Sequence, residues 1–190
     1  MEKFKTPLEL IKFILEECSD MSYGFGNDPK WTPPYFYLSI DKNFNLERFV
    51  WCCHLVKQQF DFNIDALILR ETVELPNNLL EQTELKAIRS YNTHLYYLPK
   101  LPETLKFLDV SHNELIELPE LPSGLEELYC QENNIEKLPK LPNSLKKLRM
   151  DHSIYLSFKR EIQDERHQHL YLEGNELEEF IEKYNNKIKS

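Results

Sequence analysis

The sequence predicts an α/β solenoid. Coils stack side by side, each adding one short strand to a parallel sheet on the concave face, with polyproline-like segments on the convex side and a helical cap at the N-terminal end. Three observations predict this. Residues 85–144 divide into three twenty-residue copies, LKAIRSYNTHLYYLPKLPET, LKFLDVSHNELIELPELPSG and LEELYCQENNIEKLPKLPNS, and a fourth opens as LKKLRMDHSIYL at Leu145. Apolar residues return in step at positions 1, 4, 11 and 14 of the copies. An LP dipeptide stands at positions 14 and 15, and a second LP follows it.

A fixed period near twenty residues carrying L-x-x-L-x-L-x-x-N-x-L is the signature of a leucine-rich repeat. A single copy cannot bury its own apolar face, so copies stack and share one continuous core. In the second copy Leu105, Leu108, Val110 and Leu115 are the inward residues, each contributing roughly 1.5–3 kcal/mol when fully buried. Position 9 is Thr93, Asn113, Asn133 and Ser153. A short polar side chain at this turn can bond main-chain groups that the sheet leaves unpaired. Two prolines three residues apart continue neither a helix nor a sheet interior, because proline fixes φ and lacks an amide hydrogen. The L-P-x-L-P return is therefore expected to be extended.

This L-P-x-L-P-x-x-L-x-x-L-x-x-x-x-N-x-L pattern resembles the short-repeat leucine-rich proteins of the YopM and IpaH type, a family of secreted bacterial effectors. The resemblance covers about residues 85–150 and leaves the first sixty unmatched. It implies a solenoid that binds proteins, and an effector-like role. Members of the IpaH type owe their ubiquitin-ligase activity to a large C-terminal domain with a C-x-D cysteine. Only about forty residues follow the repeats in this sequence, so that domain is not expected, and Cys18-Ser19-Asp20 lies at the opposite end.

Three segments are expected. Residues 1–63 form a helical N-terminal capping region, 64–156 the repeats, and 157–190 an irregular insertion, a last repeat-like strand and a capping helix. Thr6 can cap a helix that begins at Pro7 and carries Leu8, Ile11, Ile14, Leu15 and Cys18 on one face. The Gly- and Pro-bearing stretch from Met21 reads as a loop leading to an extended YFYLSI. Helical spacing returns through Leu46, Phe49, Val50, Cys53, Leu55 and Val56. Ile64, Leu67 and Leu69 fit positions 1, 4 and 6 of a degenerate first copy, with Leu75-Pro76 arriving early. SFKREIQDERHQ then interrupts the pattern, and Leu170, Leu172, Asn175, Leu177 and Phe180 restore the spacing of positions 4, 6, 9, 11 and 14. The closing stretch has helical spacing through Leu177, Phe180, Ile181, Tyr184 and Ile188.

Composition narrows the function classes. A formal net charge of -9 and a pI near 5.2 argue against nucleic acid and against anionic membranes as partners. No apolar run approaches a membrane span. Glu9, Lys12, Glu16 and Glu17 in the first twenty residues argue against a cleaved secretory signal, so the chain is expected in the cytoplasm or exported into a host cell by another route. The four cysteines, Cys18, Cys52, Cys53 and Cys130, show no C-x-x-C spacing, which points to a reducing compartment. Cys130 falls at inward position 6, as a small core residue.

Outward residues lie at positions 3, 5, 7 and 8, with neighbouring copies about 4.8 Å apart. The four columns read Ala87, Phe107, Glu127, Lys147; Arg89, Asp109, Tyr129, Arg149; Tyr91, Ser111, Gln131, Asp151; and Asn92, His112, Glu132, His152. From them the candidate partner-binding residues are Arg89, Tyr91, Phe107, Asp109, His112, Glu127, Tyr129, Gln131, Lys147, Arg149 and Asp151. Exposed aromatics beside arginine are the types that dominate binding hot spots, which singles out Phe107, Tyr129, Arg89 and Arg149. The competing reading is that Arg89 with Asp109, and Arg149 with Asp151, merely solvate the sheet as surface ion pairs worth roughly 0–1 kcal/mol.

Catalytic chemistry finds little support. His112 and His152 share a column two copies apart, about 10 Å, too far for one zinc at about 2 Å from each. His167 and His169 beside Asp164 and Glu165 read as solvated polar sequence. There is no Gly-rich phosphate loop and no G-x-S-x-G. The expectation is a monomeric, non-enzymatic module without cofactor or metal, binding a protein partner. Two alternatives stay open. TPLELIKFILEEC is similar to the opening of an F-box through Pro7, Glu9, Leu10, Ile14 and Leu15, and NLERFVWCCHLV to that motif's later segment. This resemblance implies a substrate adaptor for a ubiquitin ligase, with residues 6–60 docking an adaptor subunit. A small enzyme is the second alternative, which would need a cleft with a nucleophile beside a base.

Overall fold

The computed structural model describes residues 5–15, 22–26, 35–40, 46–70, 80–151, 153–155 and 169–188. Their order is α1 (Pro7–Leu15), β1 (Ser22–Gly26), β2 (Tyr35–Ile40), α2 (Leu46–Phe60), β3 (Ala66–Leu69), a 3-10 turn (Leu80–Gln82), β4 (Ala87–Ser90), β5 (Phe107–Asp109), β6 (Glu127–Tyr129), β7 (Lys147–Asp151), β8 (His169–Glu173) and α3 (Gly174–Ile188). All eight strands lie in one sheet, in sequence order. Strands β2 to β7 are parallel, and in the repeats the register advances one copy per strand, from Ala87 to Phe107 to Glu127 to Lys147.

The core is the leucine spine. Leu85, Ile88, Leu105, Leu108, Val110, Leu115, Leu125, Leu128, Cys130, Leu145, Leu148 and Met150 are buried in one cluster, and so are Ile64, Leu67 and Leu69 of the irregular first coil. The L-P-x-L-P returns contain no helix or strand, and Leu98, Leu101, Leu118, Leu138 and Leu141 turn inward from them. Burial pushes the Cys130 thiol well above its ordinary value, so it packs as a protonated apolar group.

Position 9 holds successive coils together. The Asn113 carboxamide oxygen accepts the amides of Thr93 at 3.0 Å and Leu95 at 2.9 Å, and its nitrogen donates to the carbonyls of Ser90 and Val110. Asn133 repeats this one coil on, accepting from Leu115 and donating to the carbonyls of Val110 and Cys130. Ser153 stands exposed at the fourth such position. There the Asp151 carboxylate accepts the amides of Glu132 at 2.8 Å and Asn133 at 3.3 Å instead.

The ends depart from the repeat. Thr6 caps α1 by accepting the Glu9 amide, and Glu9 reaches back to the Lys5 amide. Leu10, Ile11, Phe49, Val50, Cys52 and Val56 join α1 and α2 to the common core. Between these helices the chain adds two strands, not a loop and one extended segment: β1 pairs antiparallel with β2. The N-terminal segment is therefore mixed, where a helical region was expected. At the other end β8 is antiparallel to β7, with Leu172 opposite Leu148 and Leu170 opposite Met150, and Asn175 lies in α3 instead of at an inward turn. An alternating strand buries the same face in either direction, so the spacing of Leu170 and Leu172 could not distinguish a further parallel coil from a strand running back.

Helix α3 buries Leu177, Phe180, Ile181 and Tyr184. The Tyr184 hydroxyl donates to the Leu138 carbonyl at 2.7 Å, while the Asn185 side chain both accepts the Leu141 amide and donates to the Leu141 carbonyl. Side chains of α3 thus pair main-chain groups of the last return segment. Ile188, expected on the buried face, is 47 % exposed.

Candidate protein-interaction face

Three outward rows cross the sheet. The first runs Ala87, Phe107, Glu127, Lys147, Glu173, and the second Arg89, Asp109, Tyr129, Arg149, Tyr171. Tyr91, Ser111, Gln131 and Asp151 make the third. Outward does not mean accessible. With strands about 4.8 Å apart, a long side chain covers a short one beside it, and Ala87, Asp109, Ser111 and Gln131 are all buried.

The centre of the face is an aromatic and ionic cluster. Phe107 and Tyr129 are half-buried, with ring centroids 5.6 Å apart in a tilted pair. The Tyr129 hydroxyl donates to Glu127 at 2.9 Å, and Lys147 pairs with the same carboxylate at 2.8 Å. Desolvation first, then the Glu127 hydrogen bond, pushes the Tyr129 phenol up; Lys147 is raised by its own hydrogen bond to Glu127. On β8 the Tyr171 hydroxyl donates to Glu173 at 2.8 Å. Burial and that bond raise its pKa too.

Arg89 is exposed and its Nε lies 3.4 Å from the Asp109 carboxylate, so this predicted pair forms. Asp109 is not available to a partner, however. It is 7 % exposed and also accepts the amide and hydroxyl of Ser111. In place of the expected Arg149–Asp151 pair, Asp151 accepts amides of the preceding coil, leaving Arg149 exposed with no ion pair among the described residues. Gln131 is 5 % exposed, and its carboxamide oxygen has no hydrogen-bond partner among the described residues.

The fourth column has a different duty. Asn92, His112 and Glu132 have φ of 55°, 56° and 56°, in the left-handed region where the chain leaves the sheet. His112 is half-buried against Tyr91, with ring centroids 4.9 Å apart, and Tyr91 is 51 % exposed. His152, His167, Asp164 and Glu165, like Cys18, Leu75-Pro76 and the SFKREIQDERHQ stretch, lie outside the described residues. The side chains of Ile14 and Leu15, two of the F-box-like residues, do so as well.

Two residues of this face were missed. Tyr171 lies between Leu170 and Leu172, and reading those two as inward already implied it. Arg70 stands one residue past Leu69, the register partner of Ser90, and so continues the row of Tyr91; it is exposed. Its signal was the irregular first coil, whose outward residues were not followed. A separate cleft of 780 Å3, off the sheet, lies between Ile135–Lys137 and α3 and is lined by Ser153, Ile154, Tyr184, Lys187 and Ile188.

Among the described residues no group of three or more His, Cys, Asp or Glu is placed to hold a metal, and no helix is long and apolar enough to cross a membrane. Burial pushes the Cys52 thiol up to about 12, away from the thiolate that nucleophilic chemistry needs.

The leucine-rich repeat family model matches residues 104–125, which run from the end of the first copy through the second. No curated protein matches the chain. Domains of this kind are generally protein-binding modules and typically non-catalytic. The matched unit, its in-phase copies and the stacked strands make this chain a leucine-rich repeat protein, built as a β-solenoid with a parallel sheet and flanking helices.

Proposed function

We propose that the chain binds a partner protein through the outward face of β3 to β8, and that Phe107, Tyr129, Arg89 and Arg149 supply most of the affinity. The observation that carries this reading is the aromatic pair of Phe107 and Tyr129 at the centre of the sheet, with charged side chains around it. Half-buried aromatics ringed by polar groups have the anatomy of a hot spot, where large side chains are already held in place before a partner arrives. Tyr91, His112, Glu127 and Lys147 border this centre, while Asp109 and Gln131 are buried beside it and Asp151 is tied to main-chain amides of the preceding coil. The resemblance of the repeats to secreted effectors adds that the partner belongs to a host cell.

Affinity capture from lysate followed by mass spectrometry tests this, using the wild-type chain and the double variant Phe107→Ala/Tyr129→Ala in parallel. The proposal expects a partner recovered by the first and lost by the second. Equal recovery by both would remove it. The substrate-adaptor reading gains nothing from the packing of residues 6–60: Leu10, Phe49, Val50 and Cys52 face the core, and β2 pairs directly with β3 of the solenoid.

A further inference from the structure

The charges of the outward face balance in number, four carboxylates against four cations, and which of them are engaged indicates what the face accepts. Four carboxylates stand in its rows, and all are engaged within the fold: Asp109 by Ser111 and Arg89, Glu127 by Tyr129 and Lys147, Asp151 by two main-chain amides, and Glu173 by Tyr171. Two cations of the same face, Arg70 and Arg149, are exposed and make no ion pair among the described residues. Arg149 sits in register between Tyr129 and Tyr171, whose hydroxyl hydrogens are already directed to Glu127 and Glu173. Its guanidinium is thus the donor left for an incoming acceptor, in a fork geometry that matches a carboxylate.

We infer that the face takes an extended, acidic peptide segment of its partner, laid across the strands, with one carboxylate on Arg149 and a second on Arg70. This rests on the reading of the face as protein-binding. Four strand steps separate β3 from β7, about 19 Å at the usual strand spacing. An extended segment covers that distance in about six residues. The occupant is a sparse acidic segment and not a polyanion, because the chain itself carries a formal net charge of -9 and repels dense negative charge. At physiological salt that repulsion fades beyond about 8 Å, whereas an arginine–carboxylate contact at the surface persists.

The test is selection of a displayed library of random twelve-residue peptides on the full chain at physiological salt. Wild type, Arg70→Gln/Arg149→Gln and Phe107→Ala/Tyr129→Ala are run together, with unchanged melting temperatures showing that each remains folded. The expected result is enrichment of peptides with two Asp or Glu about six residues apart, falling at least tenfold on the arginine variant. Enriched peptides without acidic residues, or acidic ones indifferent to the arginine variant, overturn this inference while their loss on the aromatic variant keeps the binding face. Peptides indifferent to both variants, or no enrichment at all, overturn the inference and count against the face as well.

Discussion

The side chain of Asn113 accepts the main-chain amide of Leu95, in the preceding coil, at 2.9 Å. The same side chain bonds Thr93, Ser90 and Val110, so one carboxamide pairs groups of two coils that neither sheet nor solvent reaches. Asn113 is 8 % exposed, and each buried partner left unpaired costs about 1–3 kcal/mol. Asn113→Ala is expected to destabilise the chain by about 3 kcal/mol, and Asn133→Ala, at a half-buried site, by less. Urea unfolding of the two variants checks the order; equal and small losses would contradict the ladder.

Gln131 presents the opposite case, a buried acceptor without a donor among the described residues. Its main-chain carbonyl already accepts from His112 and Asn133 and is untouched by a change of side chain. Gln131→Met removes the orphaned oxygen while keeping the volume, and should stabilise the chain by about 1 kcal/mol. A lower urea midpoint would show that this oxygen has a partner.

Asn92, His112 and Glu132 share the left-handed turn at position 8. Asn and His enter that region more readily than Glu, for which it costs about 1 kcal/mol. Glu132→Asn, copying the first coil into the third, is expected to raise stability by about 0.5–1 kcal/mol in thermal unfolding. No gain would mean that the glutamate side chain contributes as much as the turn loses.

The Tyr129 phenol is held above its ordinary value by burial and by Glu127. A group whose folded pKa is raised contributes stability that is fully present below its unfolded pKa, about 10, and lost as pH rises through the folded value. Wild type should therefore lose melting temperature above about pH 10 more steeply than Tyr129→Phe. Parallel slopes for the two proteins would contradict the assignment.

What was legible in the sequence followed the leucines. Positions 1, 4 and 6 placed Leu105, Leu108 and Val110 in the core and, by alternation, Phe107 and Tyr129 on the outer face. The position-9 asparagines were legible because a turn into the core needs a side chain to pair its main chain. Alternation gives direction only. It could not show that Asp109 and Gln131 lie beneath their neighbours, since cover depends on side-chain length in the adjacent coils. Nor could it show that β8 runs backward, because Leu170 and Leu172 are spaced alike in both directions. The Asn185 bridge to Leu141 was out of reach: it depends on how α3 lies across a return segment 44 residues away.

Photo-cross-linking from single sites tests most directly that partners are gripped on the sheet. A photoreactive residue replaces Tyr129, at the centre of the outer face, or Ile116, which is 68 % exposed beyond the turn and off the strands. Adducts in lysate from position 129 and none from 116 are the predicted result. Adducts from 116 at equal or greater yield would contradict it and move the binding surface to the return segments.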